Sequence, residues 1–231
     1  MTITPNSIYW LIFIAVAIVS YIVQASLKSR FEKASKIGIR GGLTGAEVAE
    51  KMLHDNGIYD VKITSIPGQL TDHYNPTDKT LNLSESVYGC SSVAAAAVAA
   101  HECGHAVQHA CGYAPLKMRS ALVPVVNFAS HIMTIVLLAG MLLIKIFPNL
   151  MLAGIILFGL TTLFAFVTLP VEINASSRAL EWLNRSGITD FSNHEAACTT
   201  LRSAAYTYVV AALSSLATLV YYIMIFSSNK R

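Results

Sequence analysis

Four apolar blocks, each about 20 residues or longer and free of acidic side chains, constrain this chain more than any other feature. They run over residues 8–27, 121–146, 150–169 and 204–226. About 20 such residues in a helix cross the hydrocarbon core of a bilayer. Hydrocarbon offers the backbone no hydrogen bonds, so each block must satisfy its own and is predicted to be a transmembrane helix. Composition agrees: 54% of residues are hydrophobic and 13% are charged, against about 25% charged in an average soluble domain. The first block follows an uncharged start, Met1–Ser7, and its basic residues come after it, so it reads as a retained anchor. Phe147-Pro148-Asn149 marks a short turn that makes the second and third blocks a hairpin.

Lysine and arginine set the expected orientation. The segment 28–120 holds ten of them, from Lys28 to Arg119, and the segment 170–203 holds Arg178, Arg185 and Arg202. Only Lys145, Lys230 and Arg231 fall on the other side. Both large polar segments are therefore expected in the cytoplasm. The net charge of +3 is modest, and no basic tract interleaved with aromatics is present, which argues against a nucleic-acid partner. Cys90, Cys103, Cys111 and Cys198 form no CxxC pair and are expected as reduced thiols.

Within 28–120, the basic stretch 28–42 reads as a juxtamembrane helix or arm. Thr44 and Glu47 have the spacing of a capping box, opening a helix to about Asp55 that Asn56-Gly57 closes. Val61–Ile66 alternates as a strand, Leu70–Tyr74 and Thr80–Leu83 suggest two more, and Asn75-Pro76 turns between them. A long helix is predicted from about Ser92 to Ala110. The fold class expected is mainly α: four transmembrane helices with a cytoplasmic α+β, zincin-like domain in which that helix lies beside a small sheet. No internal repeat divides the chain, which is expected to form one membrane domain over 1–231.

On the long helix stand His101-Glu102-Cys103-Gly104-His105, an HExxH pattern. Residues i and i+4 share a helix face, so both imidazoles can reach one metal ion. Two imidazoles and a carboxylate suit zinc, one ion per chain. Zinc lowers the pKa of a bound water toward about 7. Glu102 is placed to take the water's proton and pass it to a leaving amine.

A third ligand is needed. A metzincin would carry a histidine at the place of Cys111 and a glycine at Gln108, so that pattern fails. His109 is one turn past His105, but three ligands along one straight helix do not converge on one ion. Glu172, at the end of the third block, is the better candidate, because a carboxylate there is costly against lipid unless it is engaged. Glu181 and Glu195 are weaker alternatives. Ser176 and Asn174 are candidates to support the site. His73, Tyr74, Arg178, His109 and His194 are candidates for support or for stabilising an oxyanion. His131, inside the second block with Asn127 one turn away, is expected to make an interhelical hydrogen bond.

Five strings carry a resemblance over nearly the whole chain: Gly68-Gln-Leu-Thr-Asp-His-Tyr74, Leu83-Ser-Glu-Ser-Val-Tyr-Gly89, Ala100-His-Glu-Cys-Gly-His-Ala-Val-Gln108, Gly112-Tyr-Ala-Pro115 and Leu169-Pro-Val-Glu-Ile-Asn-Ala-Ser-Ser-Arg-Ala-Leu180. In these the chain resembles the YugP-like neutral zinc metallopeptidases, bacterial membrane proteins related in pattern to the gluzincins. The resemblance implies zinc held by His101, His105 and Glu172, with Glu102 as catalytic base, in a bacterial inner membrane. Related membrane gluzincins follow the third-ligand glutamate with Ala-Asp. This chain has Ala175-Ser176, so a role given to that aspartate does not carry over.

The function expected is hydrolysis of peptide bonds in membrane or membrane-proximal proteins at the cytoplasmic surface. Its partners are then a peptide or protein substrate and the lipid bilayer, with any regulatory membrane partner unidentified. Two rivals remain at this point: an intramembrane, site-2-type zinc protease, and a non-catalytic membrane scaffold with structural zinc. The crowding of polar residues in 101–109 speaks against the first, and Glu102, of no use to a structural site, against the second.

Overall fold

The computed structural model describes residues 5–229, with side chains from Trp10 onward. The helices are α1 (Pro5–Ala34), α2 (Gly45–Asp55), α3 (Glu85–Tyr88), α4 (Val93–Ala110), α5 (Ala114–Leu142), α6 (Pro148–Arg185) and α7 (His194–Ser228). The strands are β1 (Lys62–Ile66), β2 (His73–Asn75) and β3 (Thr80–Ser84). The chain is mainly helical. Among the described residues, four helices (α1, α5, α6 and α7) are long and apolar enough to cross a membrane, by length and composition. The four expected blocks lie in these helices, except that α5 stops at Leu142 and residues 143–146 form turns.

The contacts divide the chain into two compact units. One takes in α1 up to Ile22, Lys117–Leu169 and α7 from Thr207 onward. Its large apolar side chains face outward: Leu11, Phe13, Phe128, Ile135, Leu142, Ile156 and Leu213 are all at least half exposed. A water-soluble surface rarely carries so continuous an apolar cover.

The other unit is Val23–Leu116 with Pro170–Tyr206. Its central helix is α4, which Ser92 caps by accepting from the Ala95 N–H at 3.2 Å. Ala94–Ala97 are wholly buried, so small side chains let neighbours approach α4 closely. Val48, Ala49 and Met52 of α2 pack in the same core, where the Cys103 thiol donates to the Ala49 carbonyl. The capping box of α2 is present in full. Thr44 Oγ1 accepts from the Glu47 N–H, and Glu47 Oε2 accepts from the Thr44 N–H at 2.7 Å.

The sheet has the order β1-β3-β2. β1 runs parallel to β3 in the register Lys62↔Thr80, and β2 runs antiparallel with Tyr74 opposite Leu81. β2 is thus an edge strand. It begins at His73, not at Leu70, where the sequence suggests a strand. Gly68 and Leu70 have φ of 107° and 57°, which turns the chain. Asp72 then accepts from the Ser84 N–H at 2.7 Å and binds its hydroxyl, fastening this turn to β3.

Glu172 and the residues after it stand on the same helix as the third apolar block. α6 continues without a break through Pro170 to Arg185, 38 residues in all. At 1.5 Å per residue it is about 57 Å long, roughly twice the hydrocarbon thickness. Pro170 removes one backbone N–H, a loss that long helices tolerate where neighbours cover the freed carbonyl. Within α6, Glu172 and Ser176 are one turn apart on one face, and Asn174 and Arg178 are one turn apart on another.

Candidate metal centre

The centre is built where α4 meets the part of α6 beyond Val171. A Cβ placed on Gly104 would stand 2.7 Å from the Ala175 carbonyl oxygen and 3.1 Å from its Cα. The backbones approach as closely as they do because residue 104 has no side chain and residue 175 has a single methyl group. This brings the two histidines of α4 onto Glu172.

His101 Nε2 lies 3.3 Å and His105 Nε2 3.6 Å from the same oxygen, Glu172 Oε2. The rings stand edge to face, with centroids 4.9 Å apart. One ligand atom from each residue falls within 4.8 Å of the others, and among the described residues these three form the group able to hold a metal ion. His105 and Glu172 are buried and His101 is nearly so.

The electrostatics are those of a cation site. Glu172 lies past the apolar run 150–169. Burial pushes its pKa up, but the hydrogen bonds and charge of His101 and His105 outweigh burial and hold it well below the usual carboxylate range. Burial pulls His105 down, yet its hydrogen bond to the Glu172 carboxylate, the charges of Glu102 and Glu172 and the Gln108 amide leave it net raised. Each group is stabilised by opposite charge at one point. Two neutral imidazoles and one carboxylate are a donor set that zinc accepts, so the residues present fit that ion.

Both histidines are braced from behind. Ser176 Oγ lies 3.1 Å from His101 Nδ1. Gln108, fully buried, places Oε1 3.1 Å from His105 Nδ1 and gives its Nε2 hydrogens to the Val171 carbonyl at 2.8 Å and to Asn174 Oδ1 at 3.0 Å. Arg178 Nε donates to the same Asn174 oxygen at 2.8 Å. Glu102, 8% exposed, points elsewhere: its Oε2 accepts from the backbone N–H of Tyr74 in β2 at 3.1 Å.

A family model described as "Putative neutral zinc metallopeptidase" matches residues 9–227. The chain belongs to this family. It is also similar to the protein named "Putative membrane protease YugP" of Bacillus subtilis (strain 168), with 44% identity over 221 residues that cover 95% of this chain and 97% of the relative. No solved structure matches.

For this zinc metallopeptidase family member, the predicted residues fall into three groups. His101, His105 and Glu172 converge, with Ser176, Asn174 and Arg178 behind them. Tyr74 meets the site through its backbone. Its hydroxyl pairs instead with His109 Nδ1 at 2.8 Å, so His109 is turned to β2 and is not among the converging ligands. Burial, with the charges of Asp60 and Asp78, raises the Tyr74 phenol.

The remaining candidates lie elsewhere. His73 is satisfied within the sheet by the Thr71 carbonyl and Asn82. His194 pairs with Thr189, and Glu181 and Glu195 are exposed. Among the described residues, His131 turns to its own helix, not to a neighbour: its Nδ1 meets the Asn127 carbonyl at 2.6 Å. An imidazole one turn on from a carbonyl reaches it more readily than it reaches a neighbouring helix. Gln108 went unrecognised in the sequence. Its signal was an amide three residues after His105 on an otherwise apolar, buried face.

Proposed function

We propose that this chain is a membrane-bound zinc endopeptidase. It hydrolyses peptide bonds of membrane or membrane-proximal proteins at the cytoplasmic face of a bacterial inner membrane, in a zincin-like domain of the gluzincin type. The observation that carries the reading is the convergence of His101, His105 and Glu172 from two helices on one point, with a further carboxylate, Glu102, in the same helix turn and held at one oxygen by the Tyr74 N–H.

One zinc ion in this group supplies Lewis acidity to a scissile carbonyl and lowers the pKa of water. The chain's own residues do the rest. Glu102 takes the proton of the attacking water and returns it to the leaving nitrogen, exchanging it at Oε1 while Oε2 stays on the Tyr74 N–H. Anchoring one oxygen fixes the direction of the other. β2, the edge strand whose Tyr74 N–H faces Glu102, offers a rail along which an extended peptide can lie. The helix carrying the motif, α4, is not one of the four long apolar helices, which supports a site outside the bilayer rather than within it.

The test is cleavage of a membrane-protein mixture by purified protein, wild type beside Glu102→Gln. Cleavage that requires zinc and vanishes in the variant supports the reading. A variant with zinc bound and full cleavage contradicts it.

A further inference from the structure

The hydrogen bonds behind His105 permit one assignment of donors and acceptors. Arg178 Nε carries a hydrogen and no lone pair, so the Asn174 atom 2.8 Å away is its oxygen. The Val171 carbonyl only accepts, so the Gln108 atom 2.8 Å from it is nitrogen. That nitrogen's other hydrogen goes to Asn174 Oδ1. Gln108 Oε1 is left facing His105 Nδ1, and an amide oxygen only accepts. A ring that offers its Nε2 lone pair to a metal must therefore carry its hydrogen on Nδ1, where Gln108 accepts it; Nε2 is the atom on the Glu172 side.

We propose that Gln108 and Asn174, held by Arg178, are positioning residues that fix His105 in the tautomer a metal ligand must have. The inference rests on the zinc reading above and extends it to residues without contact to the metal.

Packing does not account for Gln108. It is wholly buried on α4 near alanines, and burying an amide is costly unless it is fully bonded. Here its oxygen and both of its amide hydrogens are engaged. Arg178 makes the order unique. If Asn174 turned its NH2 group inward, that group would meet the Arg178 and Gln108 donors head on. The other histidine is held differently. Ser176 offers His101 a hydroxyl, which can donate or accept and so does not select a tautomer. The chain thus imposes the ligand form on His105 and leaves His101 permissive.

The experiment uses full-length protein in detergent. Zinc affinity is measured by competition with a chromophoric chelator, alongside thermal unfolding of the metal-free form and nitrogen-15 histidine spectra that report the tautomer. Loss of an outer partner of a metal-bound histidine weakens metal binding about 10–100-fold, and Gln108→Leu is expected to fall in that range. Asn174→Asp keeps an acceptor for both Gln108 and Arg178, so it should bind zinc within about threefold of wild type, whereas Asn174→Leu should weaken like Gln108→Leu. Spectra of the zinc-loaded wild type should show hydrogen on His105 Nδ1, and hydrogen on Nε2 there would overturn the inference.

Folded Gln108→Leu with wild-type affinity, or Asn174→Asp as weak as Asn174→Leu, overturns the inference while leaving the zinc site standing. If Gln108→Leu does not fold, the Asn174 pair decides. A folded wild type that refuses zinc overturns the metallopeptidase reading and the inference together.

Discussion

Glu102 and Cys103 are neighbours in sequence with opposite surroundings. Glu102 is held at one oxygen by β2, on the side of the two histidines' helix that meets the sheet. A positioned general base contributes typically 10²–10⁴-fold to rate. Glu102→Gln is therefore expected to lower cleavage by about that factor while zinc content, read by metal analysis, stays at the wild-type level. Cys103 is enclosed between α4 and α2, and burial, with the charge of Glu102, raises its thiol well above the ordinary value. The thiolate is the reactive form. Native protein treated with a maleimide at neutral pH should carry label on the exposed Cys90 and Cys111 and none on Cys103, as read by peptide mass spectrometry. Label on Cys103 before unfolding would mean that the α2–α4 interface opens.

At the scale of elements, the closeness of α4 and α6 decides whether the ligands meet. Gly104→Ala puts a methyl group 2.7 Å from a backbone oxygen, which no side-chain rotation relieves. Overpacking of this kind costs about 1–3 kcal/mol, and the helices must part to relieve it. The expected result is a lower unfolding temperature together with weakened zinc binding. Thr44→Ala removes the capping box of α2 at a cost of about 1 kcal/mol and should lower the unfolding temperature while leaving zinc affinity unchanged.

The contrast between these variants also marks what the sequence makes legible. Thr44 and Glu47 act within three residues of each other, and His101 and His105 within four, so local spacing exposes both pairs. The four long helices declare themselves by composition, which lipid demands. The partnership of Gln108 with Asn174 spans 66 residues and depends on how α4 and α6 cross, which no local pattern encodes. A proline ordinarily signals a helix end, yet α6 runs through Pro170. The short strand β2 begins later than the 70–74 expected because Gly68 and Leu70 at positive φ and the Asp72–Ser84 clasp hold the preceding residues in a turn.

For the whole molecule, the reading places 28–120 and 170–203 together in the cytoplasm on the strength of thirteen of the sixteen basic residues. Cys90 and Cys111 lie in the first of these segments and are exposed. A membrane-impermeant maleimide should label them in inverted inner-membrane vesicles and not in intact spheroplasts. The reverse pattern would put the site on the outer face.

The central claim is one metal ion held by two histidines of α4 and a glutamate of α6. Its most direct test is zinc per chain in detergent-purified wild type beside Glu172→Ala, with the folded state of each checked by thermal unfolding. The account predicts about one zinc ion in the wild type, as for other sites of two histidines and a glutamate, and a clear loss in a variant that remains folded. Full zinc retention in folded Glu172→Ala, or a folded wild type that takes up no zinc when it is supplied, would contradict it.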